Sequence, residues 1–318
     1  MFDRILIPLD GSPRAELILG QVARILRRKD SELLLLRVVE IPSEVRLGQA
    51  PRAMCRACER ERADAQRYID DLVRKLEERG ARVRGRVVEG VAAATILEQA
   101  TQERATLIAM TTHGRTGLSG WLVGSVAEKV ARSSPIPVLL IRSFRPTPLG
   151  DLQPATAREL PFRRILVPTD GSPAAAAAIG PAAMLAQLFE ADVAALHVEI
   201  PMPIGEMGYA PVVNATPSEK DPVTAEAADR FGDFGLTAKR YTVVGYPAEV
   251  ILDLTHSEEI DLIAMATHGR SGFSRWFLGS VAERVLRHAG VPLLLVPAGK
   301  AGRTEAGREK KGRLLKMS

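Results

Sequence analysis

The chain has 318 residues, 46% of them hydrophobic and 25% charged, with 43 Lys and Arg against 38 Asp and Glu. At about 100–200 residues per domain, that length makes two domains, each able to bury a core of its own. The ordinary composition excludes a collagen-like, disulfide-stapled or wholly disordered chain, and 4% aromatics leave little for a base-stacking surface.

Arg4–Leu9 is a short apolar run that ends at Asp10-Gly11-Ser12-Pro13, where Ser12 caps a helix and Pro13 fills its first turn. A helix is predicted over Pro13–Arg28, a strand over Leu33–Val39 and an amphipathic helix over Glu59–Arg79, closed by Gly80. Val83–Val88 reads as a third strand, Ala92–Glu103 as a helix, Thr106–Thr111 as a fourth strand, Ser119–Ser133 as a helix and Pro137–Ile141 as a fifth strand. Near-continuous apolar strands alternating with helices imply a parallel sheet covered on both faces. The next segment holds Pro146, Pro148, Pro154 and Pro161 and reads as a semi-rigid linker.

The pattern then starts again. Phe2-Asp3-Arg4-Ile5-Leu6-Ile7-Pro8-Leu9-Asp10-Gly11-Ser12-Pro13 returns as Phe162-Arg163-Arg164-Ile165-Leu166-Val167-Pro168-Thr169-Asp170-Gly171-Ser172-Pro173, an offset of 160. Thr112-His113-Gly114-Arg115 returns as Thr267-His268-Gly269-Arg270, and Gly124-Ser125-Val126-Ala127-Glu128 as Gly279-Ser280-Val281-Ala282-Glu283, both at an offset of 155. Strands of the second copy are predicted over Arg164–Thr169, Val193–His197, Lys239–Val243, Leu262–Ala266 and Pro292–Val296. Five residues are missing from its middle, and the Gly-punctuated helix near Thr224–Phe234 is where they are expected to be lost. The reading is α/β: two tandem Rossmann-like domains, each a five-stranded parallel sheet with helices on both faces. The expected bounds are 1–145 and 162–298, with a linker over 146–161 and a basic, disordered tail over 299–318.

Charge is unevenly placed. Residues 1–150 carry 25 basic and 18 acidic side chains, residues 151–297 carry 11 and 18, and the last 21 residues carry seven and two. The body is therefore neutral but polarised, +7 against −7, which argues against a nucleic-acid surface and predicts attraction between the copies. No window supplies the roughly 18 apolar residues of a membrane span, and Gly180-Pro181 breaks the Ala-rich stretch that comes nearest. No secretory layout precedes the first strand, so the cytoplasm is expected. Cys55 and Cys58 form one C-x-x-C, read as incidental thiols; half of a metal site shared across a dimer is the weaker reading.

Ligands of open parallel α/β sheets bind beyond the carboxyl ends of the strands. Asp10 and Asp170 follow the first strands, and His113-Gly114 and His268-Gly269 follow the fourth. Nine residues after those glycines come Gly124-Ser125 and Gly279-Ser280, at or near the start of a helix whose N-terminus favours an anion. A carboxylate suits ribose hydroxyls and the glycine loop suits phosphates, so the arrangement suits a nucleoside phosphate. The bland alternatives are that the aspartates cap the first helices, that the histidines are packed turn residues and that the glycines serve close helix packing. His256 and His288 read as surface helix residues. No P-loop and no G-x-G-x-x-G fingerprint occurs.

At these residues the chain resembles the universal stress protein family in its tandem form, over both copies from Met1 to about Pro297. The ATP-binding members of that family are similar in the pattern Gly-x2-Gly-x9-Gly-Ser/Thr. Gly114, Gly124 and Ser125 fit it, as do Gly269, Gly279 and Ser280, but the first glycine is Thr111 in one copy and Ala266 in the other. The resemblance implies nucleotide contacts from Pro8, Asp10, Val38, Met110, Thr111, Gly114, Gly124, Ser125 and Val126. In the second copy it implies Pro168, Asp170, Val198, Met265, Ala266, Gly269, Gly279, Ser280 and Val281. It further implies an adenine nucleotide hydrolase-like fold, ATP as ligand, alone or with Mg²⁺, and a stress-response regulator rather than a fast enzyme. A nucleotide-free interaction module and a slow ATP hydrolase, with Arg115 and Arg270 as charge donors, are the alternatives. Thr111 is bulkier than Ala266, so the second copy is expected to take ATP better. The fifth strands are expected to pair within the chain, homodimers of the tandem chain and an unknown protein partner are expected, and the segments Ile41–Pro51 and Ile200–Pro222 are candidate lids.

Overall fold

In the computed structural model the apolar run at the start is β1 (Arg4–Leu9), and β2 (Glu32–Val39) runs parallel to it from Arg4 opposite Glu32 to Leu9 opposite Arg37. The residues described are 2–22, 31–49, 51–112, 123–142, 162–200, 220–268 and 278–298, with the backbone of 144–146, 152–154 and 216–217. Ile5, Leu6 and Ile7 are inaccessible to solvent, as are Leu33, Leu35 and Leu36, because both faces of the sheet are covered. Burying each such side chain contributes about 1.5–3 kcal/mol. Between these strands α1 (Pro13–Val22) starts at the predicted cap, with Ser12 Oγ accepting from the Ala15 amide at 3.2 Å.

After a single helical turn, α2 (Ser43–Arg46), comes α3 (Arg52–Glu77), which begins seven residues earlier than expected. Pro51 precedes it, and the Arg, Ala, Met and Glu residues that follow are good helix formers. Only its C-terminal half packs: Ala65, Ile69, Leu72 and Leu76 lie on one stripe, whereas no side chain before Ala65 is buried. The first copy continues through β3 (Arg82–Glu89), α4 (Ala92–Gln102), β4 (Leu107–Thr111), α5 (Ser125–Ser133) and β5 (Val138–Ile141). In the segment read as a semi-rigid linker, Phe144–Pro146 (β6) pairs with Leu152–Pro154 (β7) in a two-stranded antiparallel sheet.

The second copy runs β8 (Arg164–Pro168), α6 (Pro173–Ala176), α7 (Ile179–Phe189), β9 (Asp192–Glu199), β10 (Thr216–Pro217), α8 (Pro222–Gly232), β11 (Ala238–Val244), α9 (Pro247–Ser257), β12 (Leu262–Ala266), α10 (Ser280–His288) and β13 (Leu293–Val296). Its second long helix is reduced from 26 residues to 11, far more than the five-residue shortfall in the sequence. The difference is made up by a longer segment between β9 and α8, most of which lies outside the described residues. The short β10 pairs antiparallel with β11 and adds a strand that the first copy lacks.

Both copies have the order third-second-first-fourth-fifth, and β13 pairs antiparallel with β5. The fifth strands thus pair within the chain, as expected, and the two five-stranded units, with β10 added, form one sheet of eleven strands, β10-β11-β9-β8-β12-β13-β5-β4-β1-β2-β3. One buried layer lies under α1, α3, α7 and α8, and the other under α4, α5, α9 and α10. At the seam Leu139, Leu140, Leu293 and Leu294 are buried. The flanking ion pairs are balanced: α5 gives Glu128 and Arg132, α10 gives Glu283 and Arg287, and they cross at 3.4 Å (Arg287–Glu128) and 3.8 Å (Arg132–Glu283). Each half brings one charge of each sign to these crossed pairs.

Candidate functional site

The topological switch of each copy lies between its first and fourth strands, where the adjoining connections leave in opposite directions and open a crevice at the carboxyl ends. In the first copy that crevice is a cleft of about 440 Å³ lined by Pro8, Asp10, Val38, Met110, Thr111, Gly124, Ser125 and Val126. In the second it is a cleft of about 580 Å³ lined by Pro168, Asp170, Val198, Met265, Ala266, Gly279, Ser280 and Val281. Two independent copies thus bring together 16 of the 18 expected residues. The other two, Gly114 and Gly269, lie outside the described residues, as do His113, Arg115 and Arg270.

The anion end of each cleft is a helix N-terminus. The first in-helix bond of α5 runs from the Glu128 amide to Gly124 O at 2.9 Å, and that of α10 from Glu283 to Gly279 O at 2.8 Å. The amides of Ser125, Val126 and Ala127, and of Ser280, Val281 and Ala282, precede those bonds, and neither helix has a side-chain cap. These amides, with the serine hydroxyls, are suited to phosphate oxygens. The glycines themselves do something else. Gly124 N donates to Thr112 O, and Gly279 N to Thr267 O, both at 2.8 Å, while both residues have ordinary negative φ. A Cβ on Gly279 would stand 3.3 Å from Thr267 O, so glycine is present to let the helix start against the end of the fourth strand. Gly279 thus serves close packing of the helix start while also lining the cleft.

Asp10 and Asp170 stand opposite those helix ends. Each carboxylate accepts through Oδ1 from its serine neighbour: the amides of Ser12 and Ser172 at 2.9 and 3.0 Å, and their hydroxyls at 2.6 and 2.5 Å. This turn fixes the carboxylate at the cleft, and the glycine between the pair adopts φ of +80° in one copy and +76° in the other. The aspartates thus support the serines that cap α1 and α6 as well as lining the clefts. His268 also lines the second cleft, with Nδ1 3.0 Å from Thr267 Oγ1. Burial lowers its pKa, and its buried Nε2 has no hydrogen-bond partner among the described residues.

Polar residues at the ends of the second strands were not among those expected to contact ligand. Arg37 and His197 occupy equivalent positions and line their clefts. Each is a polar side chain inside an otherwise apolar strand near its carboxyl end, and that interruption is the sequence signal that could have found them. His197 Nδ1 lies 3.1 Å from Oδ2 of Asp221, which also accepts from the amides of Val223 and Thr224 at the start of α8 and from the Thr242 hydroxyl at 3.0 Å. Burial alone would raise the Asp221 pKa, but these donors and the nearby imidazole together hold it below the ordinary carboxylate value. A depressed carboxylate stabilises the fold above its unfolded pKa and ceases to do so as pH falls through its folded one. Asp221→Asn should therefore flatten the loss of stability below about pH 4, and Asp221→Ala should cost about 1–2 kcal/mol at pH 7 through the lost cap. Urea unfolding at pH 7 and in steps down to pH 3 checks both; unchanged acid sensitivity in the Asn variant would remove Asp221 from the account.

The other sequence candidates contribute less. Cys55 and Cys58 lie one turn apart on α3, half-exposed and not joined in a disulfide. Among the described residues no group of three His, Cys, Asp or Glu side chains is placed to hold a metal ion, and no helix is long and apolar enough to cross a membrane. His256 and His288 are exposed on α9 and α10, as expected. The segment after β2 holds α2, whereas most of the corresponding segment after β9 lies outside the described residues.

Comparison with known proteins places the chain by family and fold. The model of the universal stress protein family matches twice, over residues 1–142 and 161–297. A universal stress protein of Mycolicibacterium smegmatis is 26% identical over 304 residues, covering 92% of this chain and 96% of the relative. One from Methanocaldococcus jannaschii is 32% identical over 143 residues, 44% of this chain and 84% of the relative. The crystal structure of a universal stress protein from Archaeoglobus fulgidus aligns with a TM-score of 0.66 at 20% identity, over 93% of this chain and 97% of that one, a likeness of fold. The chain belongs to the universal stress protein family, in its tandem two-copy form.

Proposed function

We propose that each cleft binds an adenine nucleotide, ATP or a close relative, and that occupancy lets the chain act as a regulator or sensor in the cytoplasm rather than as a fast enzyme. The observation that carries this reading is a helix N-terminus without a side-chain cap facing a fixed carboxylate across each cleft, in both copies. The amides and the serine hydroxyl would take phosphates, the aspartate would take ribose hydroxyls, and the base would lie by Val38 or Val198 with Met110 or Met265. Mg²⁺ would accompany the phosphates and offset their charge.

The second cleft should be filled first. It measures about 580 Å³ against about 440 Å³, and it presents Ala266 where the first has the β-branched Thr111. Homodimers of the tandem chain and a further protein partner belong to the same proposal. Mass spectrometry of the purified, undigested chain, followed by calorimetric titration with ATP, tests it. Two sites of unequal affinity are expected, the tighter lost in Asp170→Ala. A chain that carries no nucleotide and takes up none at millimolar ATP would favour the nucleotide-free interaction module instead.

A further inference from the structure

The part of α3 before Ala65 buries no side chain, yet it carries the only two cysteines of the chain, Cys55 and Cys58. The positions that pack in the second half, Leu76, Leu72, Ile69 and Ala65, recur at spacings of three and four and continue upstream as Arg62, Cys58 and Cys55. From Arg52 to Asp64 every side chain is exposed except these two thiols, which are half-covered. Met54, 37% exposed, stands four residues before Cys58. Residues three and four apart on a helix are neighbours, with β-carbons about 5–6 Å apart. Cys58 is therefore flanked by Cys55 and by Met54, three sulfur donors within five residues. The second copy has no counterpart, because α8 begins at Pro222 and carries no cysteine.

Distance decides between a disulfide and a metal at this turn. A disulfide needs β-carbons about 3.5–4.5 Å apart, closer than a regular helix holds them. A metal bound to two thiolates through bonds of about 2.3 Å separates its sulfurs by up to about 4.6 Å, so the helix keeps its form. Zinc is the poorer match. A structural zinc site takes four ligands, and among the described residues no three His, Cys, Asp or Glu side chains are placed to hold a metal ion. Two thiolates and a thioether instead match a soft monovalent cation, for which Cu(I) is the biological case. Ligation removes both thiol protons and leaves the site negative. Between Arg52 and Arg62 four arginines stand against Glu59 and Glu61, and that excess offsets the charge. Arg62 pairs with Glu89 at the end of β3 at 3.0 Å, so Arg52, Arg56 and Arg60 carry most of this role.

We propose that Met54, Cys55 and Cys58 form a site for a soft monovalent cation, Cu(I), one per chain and separate from both clefts. Cys58 is the central ligand, and half-exposure lets the ion exchange with thiols in solution. The test titrates the reduced, full chain with Cu(I) under nitrogen against the chromophoric chelator bicinchoninate, with Zn²⁺ in a parallel series. One Cu(I) per monomer is expected, with thiolate-to-copper absorption in the ultraviolet. Cys55→Ser and Cys58→Ser should each weaken binding at least about 100-fold, and Met54→Leu about ten-fold. Thermal melts of the metal-free variants should match the parent, because no side chain before Ala65 is buried, so lost binding is not lost fold. Uptake that survives in the double variant Cys55→Ser/Cys58→Ser, tighter binding of Zn²⁺ than of Cu(I), or one ion shared by two chains in light scattering would overturn the assignment. Unchanged affinity in Met54→Leu would likewise strike the three-sulfur site.

Discussion

A Ser280→Glu variant is expected to lose nucleotide at the second cleft by at least about 100-fold in affinity, about 2.7 kcal/mol, while remaining as stable as the parent. Glutamate in the first turn of α10 places a carboxylate where phosphate oxygens would meet the amides of Ser280, Val281 and Ala282. Two like charges about 4 Å apart near a protein surface repel by about 4 kcal/mol, which exceeds the contribution of the lost hydroxyl bond. The same carboxylate favours the helix dipole by about 0.3–1 kcal/mol, so loss of binding cannot be put down to unfolding. Titration of the variant with ATP, beside a thermal melt without ligand, separates the two. Full binding at both clefts would show that the helix N-terminus is not the phosphate end, and the proposed orientation of the ligand would fall with it.

Residues on the short path from strand to helix were the most legible in the sequence. Asp10-Gly11-Ser12-Pro13 and its repeat carry a cap, a left-handed glycine and a helix start within four positions, and the turn geometry follows from residue types alone. The apolar strands were nearly as plain, because burial on both faces leaves few polar positions inside them, Arg37 and His197 being the interruptions that line the clefts. Boundaries set by tertiary context were less so. Nothing in the spacing of α3 required its helix to start at Arg52, because its first half buries no side chain and so shows no apolar stripe. The roles of Gly124 and Gly279 were visible only once Thr112 O and Thr267 O were placed against their amides. The second long helix differs sharply between the copies, 26 residues against 11, although the copies differ by only a few residues in total span. The longer segment between β9 and α8 hides that contrast from any count of residues.

The seam carries the second large expected effect. Leu294→Asp on β13 should destabilise the whole chain by about 4 kcal/mol or more, because the aspartate would sit opposite Leu139, in the centre of a sheet with no room for water and no cation in reach among the described partners. Arg142 just beyond β5 should matter nearly as much. It donates to the carbonyls of Leu286 at 3.0 Å and Arg287 at 2.6 Å, at the end of α10, and burial lowers its pKa to about 10. That leaves it charged at pH 7, a cation at a helix C-terminus supplied by the other copy. Its counterpart is Pro297, so this contact exists in one direction only. Arg142→Ala should cost about 2–3 kcal/mol through two carbonyls left without their donor. By contrast, the crossed pairs of Glu128 and Arg132 with Glu283 and Arg287 are partly exposed, and Glu128→Gln should cost under about 1 kcal/mol. Urea unfolding of the three variants at low and high salt ranks these contributions. If salt or Glu128→Gln proves as damaging as Leu294→Asp, then charge holds the copies together; the balanced pairs and the buried leucines lead us to expect the reverse.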